Sequence, residues 1–120
     1  MIQYRVIAFV LTSLVFFSAH AQLYINEWMA SNSSVINDPD FGESSDWIEI
    51  YHVGIDTADL SGYFLSDNLD NPEKWAFPSG TKLAPGDFLL IWADGRDSLL
   101  HTNFGLTREG EEIGLFDPSG

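Results

Sequence analysis

One stretch of the chain decides its fold: Ala84-Pro-Gly-Asp-Phe-Leu-Leu-Ile-Trp-Ala-Asp-Gly-Arg-Asp97. Residues 87–93 have the length and composition of a strand, and a turn with an early proline precedes them. Because both faces of this strand are apolar, it is predicted to be central and covered on both sides. The same unit, an apolar and aromatic run followed by turn residues, recurs from Leu23 to Phe116. This recurrence predicts a small all-β domain.

Similar runs on either side predict six further strands. They are Leu23–Met29, Asp46–His52, Leu60–Leu65, Lys74–Phe77, His101–Leu106 and Glu111–Phe116. Seven short strands without a helical pattern are typical of a β-sandwich. Gly62, inside the third of these runs, indicates a bulge or a close backbone approach. The polar segments 31–45 and 67–73 are predicted loops, and loops as long as the first are usually functional or partly disordered.

The first 21 residues have the pattern of a secretory signal peptide. Arg5 lies in a short n-region, Val6–Phe17 is apolar except for two residues, and Ala19-His-Ala21 is a small-x-small cleavage site. We therefore expect cleavage before Gln22, one domain over 22–120, and a secreted or cell-surface location. An uncleaved membrane anchor is the alternative, but a membrane-spanning helix needs about 20 apolar residues.

The composition of the chain limits its partners. It has no cysteine, so neither a disulfide nor a cysteine-linked lipid is available, and stability must come from the core. The formal net charge is −13, and it becomes −14 when Arg5 is removed with the leader. Such a charge repels polyanions, which makes nucleic acid and anionic lipid poor partners unless a cation intervenes.

Seven segments follow one another in order along the chain: Tyr24-Ile-Asn-Glu-Trp-Met-Ala-Ser-Asn32, Ser45-Asp-Trp-Ile-Glu-Ile-Tyr51, Leu60-Ser-Gly-Tyr-Phe-Leu-Ser-Asp67, Lys74-Trp-Ala-Phe-Pro78, Leu83-Ala-Pro-Gly-Asp-Phe-Leu-Leu-Ile-Trp-Ala93, His101-Thr-Asn-Phe-Gly-Leu106 and Glu112-Ile-Gly-Leu-Phe-Asp-Pro118. Together they resemble the lamin tail domain family in its bacterial, secreted form. The resemblance implies an immunoglobulin-like β-sandwich without catalytic activity. Members usually continue past a turn such as Asp117-Pro-Ser-Gly120, so the last strand or strands are expected to be missing.

The resemblance also implies a role. Bacterial members of the family are often single modules of large exported proteins. We therefore expect a binding or spacer module that contacts a protein or a glycan at the cell surface. An accessory domain of a larger secreted hydrolase is an alternative.

Four carboxylates in the first long loop form a candidate calcium site. Asp38, Asp40, Glu43 and Asp46 lie within nine residues, and Ca²⁺ prefers several oxygen ligands on a flexible loop. The order Asp38-x-Asp40 resembles the start of an EF-hand loop, although Pro39 and Gly42 depart from it. A solvated acidic loop is the alternative interpretation. If calcium binds, the chain is a calcium-dependent adhesion module.

A second acidic loop contains Asp67, Asp70 and Glu73. Its Asp and Asn residues are equally well explained by turn formation. It is therefore the weaker of the two candidate calcium sites.

The sequence contains no recognisable catalytic motif. Glu27 and Glu49 could form a carboxylate pair of the kind that hydrolyses glycosides, but partly buried carboxylates with a structural role are the favoured interpretation. His52 and His101 lack the spacing of a zinc site. No nucleophile elbow or phosphate-binding loop is present. The aromatic residues could stack on sugars, although their alternation within strands favours the core.

Overall fold

The computed structural model describes residues 22–107 and 112–119, so the predicted signal peptide lies outside the described residues. Within the described residues the chain forms strands and no helix. None of their elements could cross a bilayer as a helix. The strands are β1 Leu23–Met29, β2 Trp47–His52, β3 Ala58–Asp59, β4 Phe64–Ser66, β5 Trp75–Ala76, β6 Lys82–Leu83, β7 Phe88–Trp92 and β8 Gly114–Phe116. The all-β prediction is confirmed.

Two antiparallel sheets of three strands enclose the core. The first sheet has the order β1-β2-β7 and the second has the order β5-β4-β8, while β3 and β6 form a separate short pair. Ile48 and Ile50 of the first sheet belong to the same buried cluster as Leu65 and Trp75 of the second. The two sheets therefore form a sandwich whose apolar inner faces are removed from water.

Strand β2 is the centre of the first sheet, and its side chains alternate between two faces. Ile48, Ile50 and His52 are almost completely buried on the inner face. Trp47, Glu49 and Tyr51 alternate with them and lie on the opposite face, which we call the outer face. β-branched isoleucines fit such a pleated, buried surface well.

Strand β7 is not the centre of its sheet, so that prediction is wrong. Among the described strands it pairs with β2 alone, and Phe88 is 55% exposed. Ile91 and the adjoining Ala93 are buried on the inner face, as expected. On the outer face Trp92 is also buried and Leu90 is half-buried, whereas Phe88 contributes to an exposed aromatic surface described below.

The predicted strand Leu60–Leu65 is correct only at its end, because Phe64 and Leu65 belong to β4. Residues 60–63 form a turn, closed by a hydrogen bond from Tyr63 N to Leu60 O of 3.0 Å. Gly62 has a φ of +80°, which is accessible to glycine and ends the extended backbone there. The turn separates β3 from β4, and Gly62 is a turn residue rather than a bulge.

The predicted strand His101–Leu106 is absent from the described structure. In its place, His101 forms an isolated parallel bridge with Trp92, and Gly105 forms an antiparallel bridge with Asp94. Phe104 is nevertheless buried in the core cluster. Apolar residues of this segment therefore pack on the core although its backbone is irregular. An apolar sequence pattern alone does not distinguish such a segment from a strand.

A β-bulge interrupts β1 at Asn26. Ile25 pairs with Ile50, and Glu27 pairs with the adjacent residue Glu49, so Asn26 is the extra residue. Simple alternation along β1 would place Glu27 on the same face as Ile25, but the bulge moves it to the outer face, where it is exposed. The bulge explains why simple alternation fails in this strand.

Candidate functional site

The first long loop is closed at its base by polar side chains. Asn32 is buried, and its side-chain amide donates to Ile36 O at 2.8 Å and to Ser45 O at 3.0 Å. The Asp46 carboxylate accepts a hydrogen bond from Asn32 N at 2.8 Å. These bonds satisfy backbone groups that a long loop would otherwise leave unpaired, so the two ends of the loop are held together.

His101 lies at the centre of a cluster of carboxylates. Its ring is fully buried, with Nδ1 2.7 Å from Asp94 Oδ2 and Nε2 3.0 Å from Asp40 Oδ2. Asp38 Oδ2 is 3.6 Å from the same Nε2. Phe41 packs edge-on against the imidazole, with ring centroids 4.9 Å apart. The histidine therefore joins the first long loop to the segment that follows β7.

Asp38 is the most unusual member of this cluster because it is fully buried. Its Oδ1 accepts a hydrogen bond from Asp40 N at 2.8 Å. Its backbone carbonyl accepts one from Gly42 N, also at 2.8 Å. Its Oδ2, however, accepts no hydrogen bond from any described residue. A buried carboxylate oxygen without a hydrogen-bond donor is energetically unfavourable and is rare in folded proteins.

Arg96 covers the exposed side of the cluster. Its Nη2 donates to Glu43 Oε2 at 2.6 Å, and its Nε is 3.2 Å from Asp94 Oδ2. Its guanidinium carbon lies 4.0 Å from the centroid of the Phe41 ring, which is a cation–π contact. Both oxygens of Asp94 are thus used, because Asp94 Oδ1 also accepts from Arg96 N at 3.1 Å.

The carboxylates alter the protonation of His101. Burial by itself lowers the pKa of the imidazole, but hydrogen bonds to Asp94 and Asp40, with the charges of Asp94 and Asp38, raise the pKa above its ordinary value. The carboxylates therefore stabilise the charged form of the ring. Both of its N–H groups then donate to carboxylates, one on each side of the ring.

The structure brings together only part of the predicted calcium set. Asp38 and Asp40 meet at His101, whereas Glu43 pairs with Arg96 and Asp46 binds the base of the loop. Asp94 and His101, which complete the cluster, are not among the four carboxylates predicted from the sequence. Asp38, Asp94 and His101 each offer a ligand atom within 4.8 Å of the others.

The second acidic loop and the pair Glu27 and Glu49 do not take part in the His101 cluster. In the second acidic loop, Asp67 pairs with Lys74, and Asp70 and Glu73 are exposed. Glu27 and Glu49 are directly opposite each other on neighbouring strands, and Glu49 accepts a hydrogen bond from the Asn26 amide at 2.8 Å.

The outer face of the first sheet carries a row of aromatic side chains. Tyr24, Tyr51 and Phe88 are neighbours across β1, β2 and β7. The rings of Tyr51 and Phe88 stack with centroids 4.5 Å apart. Tyr24 is 56% exposed and Phe88 is 55% exposed, so this aromatic row is a surface feature rather than part of the core.

Two facing antiparallel sheets with a shared apolar core define this chain as a β-sandwich module of the immunoglobulin-like type. A model of the Lamin Tail Domain family matches residues 17–120. The chain therefore belongs to the lamin tail domain family, which confirms the resemblance found in the sequence. No match was found among curated proteins or among solved structures.

Proposed function

We propose that this chain is a non-catalytic binding module of an exported protein, and that it contacts a protein partner through the outer face of its first sheet. The observation that carries the proposal is the apolar character of that face. An antiparallel sheet that is exposed on one side normally alternates apolar residues inward with polar residues outward. Here the outer-face row Tyr24, Tyr51 and Phe88 is aromatic where polar residues are expected, and its two ends, Tyr24 and Phe88, are exposed.

The chemistry of this face favours a protein as the partner. Aromatic side chains are enriched at the centres of protein interfaces, where they account for much of the binding energy. Tyr51 and Phe88 stack face to face, so they form a ridge that fits a groove. The next row contains Glu27 and Glu49, which are opposite each other. A partner with an apolar groove and a nearby Lys or Arg would match both rows and the acidic charge of the chain.

Photo-crosslinking in the producing cell tests this proposal. A photoreactive phenylalanine analogue at position 88 should give a protein adduct, whereas the same analogue at Leu69 should not. Leu69 is a suitable control because it is also exposed but contacts β8, in the second sheet. Replacing Tyr24 with alanine should reduce the adduct at position 88 about 30-fold, since buried aromatic anchors each contribute about 2 kcal/mol.

The same experiment separates the alternatives. Equal adducts at positions 88 and 69 would contradict the proposed surface. An adduct that is removed by glycosidases but resists proteases would assign the face to a glycan instead. The Tyr24 variant should remain folded, because a cross-strand pair at an exposed site contributes about 0.2–1 kcal/mol.

Export is proposed from the sequence of residues 1–21. The leader has a charged start, an apolar stretch and small residues at Ala19 and Ala21. We expect mass spectrometry of the exported protein to find Gln22, or its cyclised form, at the N-terminus. Exported protein that retains Met1 would contradict cleavage.

A further inference from the structure

Two carboxylates of the first long loop face Nε2 on one side of the His101 ring. Asp38 Oδ2 and Asp40 Oδ2 lie 3.6 Å and 3.0 Å from Nε2. Asp38 is fully buried, and this oxygen accepts no hydrogen bond from the described residues. An anionic oxygen that is excluded from water and aimed at a ring nitrogen is a good metal ligand that lacks its partner.

The opposite side of the ring is arranged to support a ligand. Asp94 Oδ2 accepts from His101 Nδ1 at 2.7 Å. Arg96 in turn fixes the Asp94 carboxylate, because its Nε lies 3.2 Å from Oδ2 and its backbone N–H donates to Oδ1. Metal-binding histidines typically donate their other ring N–H to a carboxylate, which fixes the tautomer and the orientation of the ring. Asp94 is therefore a positioning residue, and Nε2 is the nitrogen left for a ligand.

We propose that His101 Nε2, Asp38 Oδ2 and Asp40 Oδ2 bind one Zn²⁺ ion, which replaces the proton on Nε2. Ligand atoms about 2.1 Å from a tetrahedral zinc ion are about 3.4 Å apart. The two separations at Nε2, 3.0 Å and 3.6 Å, lie on either side of that value. The Asp40 side chain is 37% exposed, so an ion at Nε2 would keep contact with solvent on the Asp40 side.

The donor set favours zinc over calcium. Ca²⁺ takes six to eight oxygen ligands, whereas one imidazole nitrogen with two carboxylates suits Zn²⁺. Glu43 and Asp46, which the sequence analysis grouped with Asp38, have other partners. The ion would neutralise the buried carboxylate and tie the first long loop to the segment after β7. This site does not depend on the protein contact proposed above.

Calorimetry on the purified, tag-free protein tests the site. After removal of metal with a chelator, the protein should bind one equivalent of Zn²⁺ and unfold at a higher temperature when zinc is present. Ca²⁺ titrated alone should bind at least about 100-fold more weakly. The absence of stoichiometric zinc binding, or equal affinity for the two ions, would overturn the proposal.

Three Asp→Asn variants, which preserve the size of the side chain, distinguish the ligand carboxylate from the positioning carboxylate and from a control. Asp38→Asn removes a ligand, so it should reduce zinc affinity more than Asp94→Asn, for which a loss of about 10–100-fold is expected. Asp70→Asn, which changes an exposed acidic residue outside the cluster, should bind as the wild type does. Metal-free Asp38→Asn should fold, because it removes a buried charge. Unchanged zinc affinity in this variant would contradict the assignment.

Replacement of zinc by Co²⁺ gives a second readout that does not depend on stability. The intensity of its visible absorption should indicate tetrahedral coordination in the wild type and in Asp70→Asn. The spectrum should be lost in Asp38→Asn. A spectrum that persists in Asp38→Asn would place the ion elsewhere.

Discussion

Replacing Ile50 with alanine is expected to lower the free energy of unfolding by about 2–5 kcal/mol. Ile50 is fully buried at the centre of β2, between Ile25 of β1 and Leu89 of β7. Its side chain packs in the cluster that joins the two sheets. Truncation removes buried apolar contacts and leaves a cavity in a domain whose total stability is about 5–15 kcal/mol. The variant should therefore lie close to the limit of folding.

Urea denaturation followed by tryptophan fluorescence measures this effect, and Ile55→Ala is the matched control. Ile55 is 89% exposed, so the same change there should alter stability by less than about 0.5 kcal/mol. Equal losses in the two variants would mean that Ile50 is not part of a packed core.

Gly54→Ala should be destabilising by about 3 kcal/mol, even though the change adds a single methyl group. An added Cβ would overlap His52 Cε1. The His52 ring is almost completely buried, with Nε2 donating to Asp56 O at 2.6 Å and Nδ1 accepting from Gly54 N at 3.1 Å. The ring cannot move away without breaking these bonds, so overpacking is combined with unsatisfied buried polar groups.

Gly105→Ala is the control for this prediction. A Cβ at Gly105 would meet only Ala93 O, at an ordinary distance of 3.8 Å. Its melting temperature should be close to that of the wild type or slightly higher, because alanine restricts the unfolded chain. If Gly54→Ala were as stable as Gly105→Ala, the His52 ring would have to be free to move.

The strands that the sequence predicts well are those with a clear pattern of apolar and aromatic residues. The bounds of β1 are predicted without error, and β2 differs by one residue. Prediction fails where the backbone departs from regular pairing, as at Gly62, whose positive φ ends a strand. It also fails for β7, because apolar residues on two faces do not reveal whether the second face is buried or exposed.

The candidate site is only partly predictable for a related reason. Asp38 and Asp40 are neighbours in sequence, so their clustering is visible. His101 is 61 residues from Asp40, and only the docking of the loop against the segment after β7 brings them together. Glu43 leaves the set for the same reason, since Arg96 is 53 residues away. Local spacing contains no information about such tertiary partners.

The bulge at Asn26 makes β1 tolerant of a change in length. Ile25 and Glu27 already pair with the consecutive residues Ile50 and Glu49. Deleting Asn26 would therefore give a regular strand in which every remaining side chain keeps its partner and its face. We therefore expect a one-residue deletion here to cost little more than the exposed hydrogen bond from the Asn26 amide to Glu49. An alignment of relatives that opens a one-residue gap at Asn26 would compare structurally equivalent residues, whereas an ungapped one would place inner-face residues against outer-face residues.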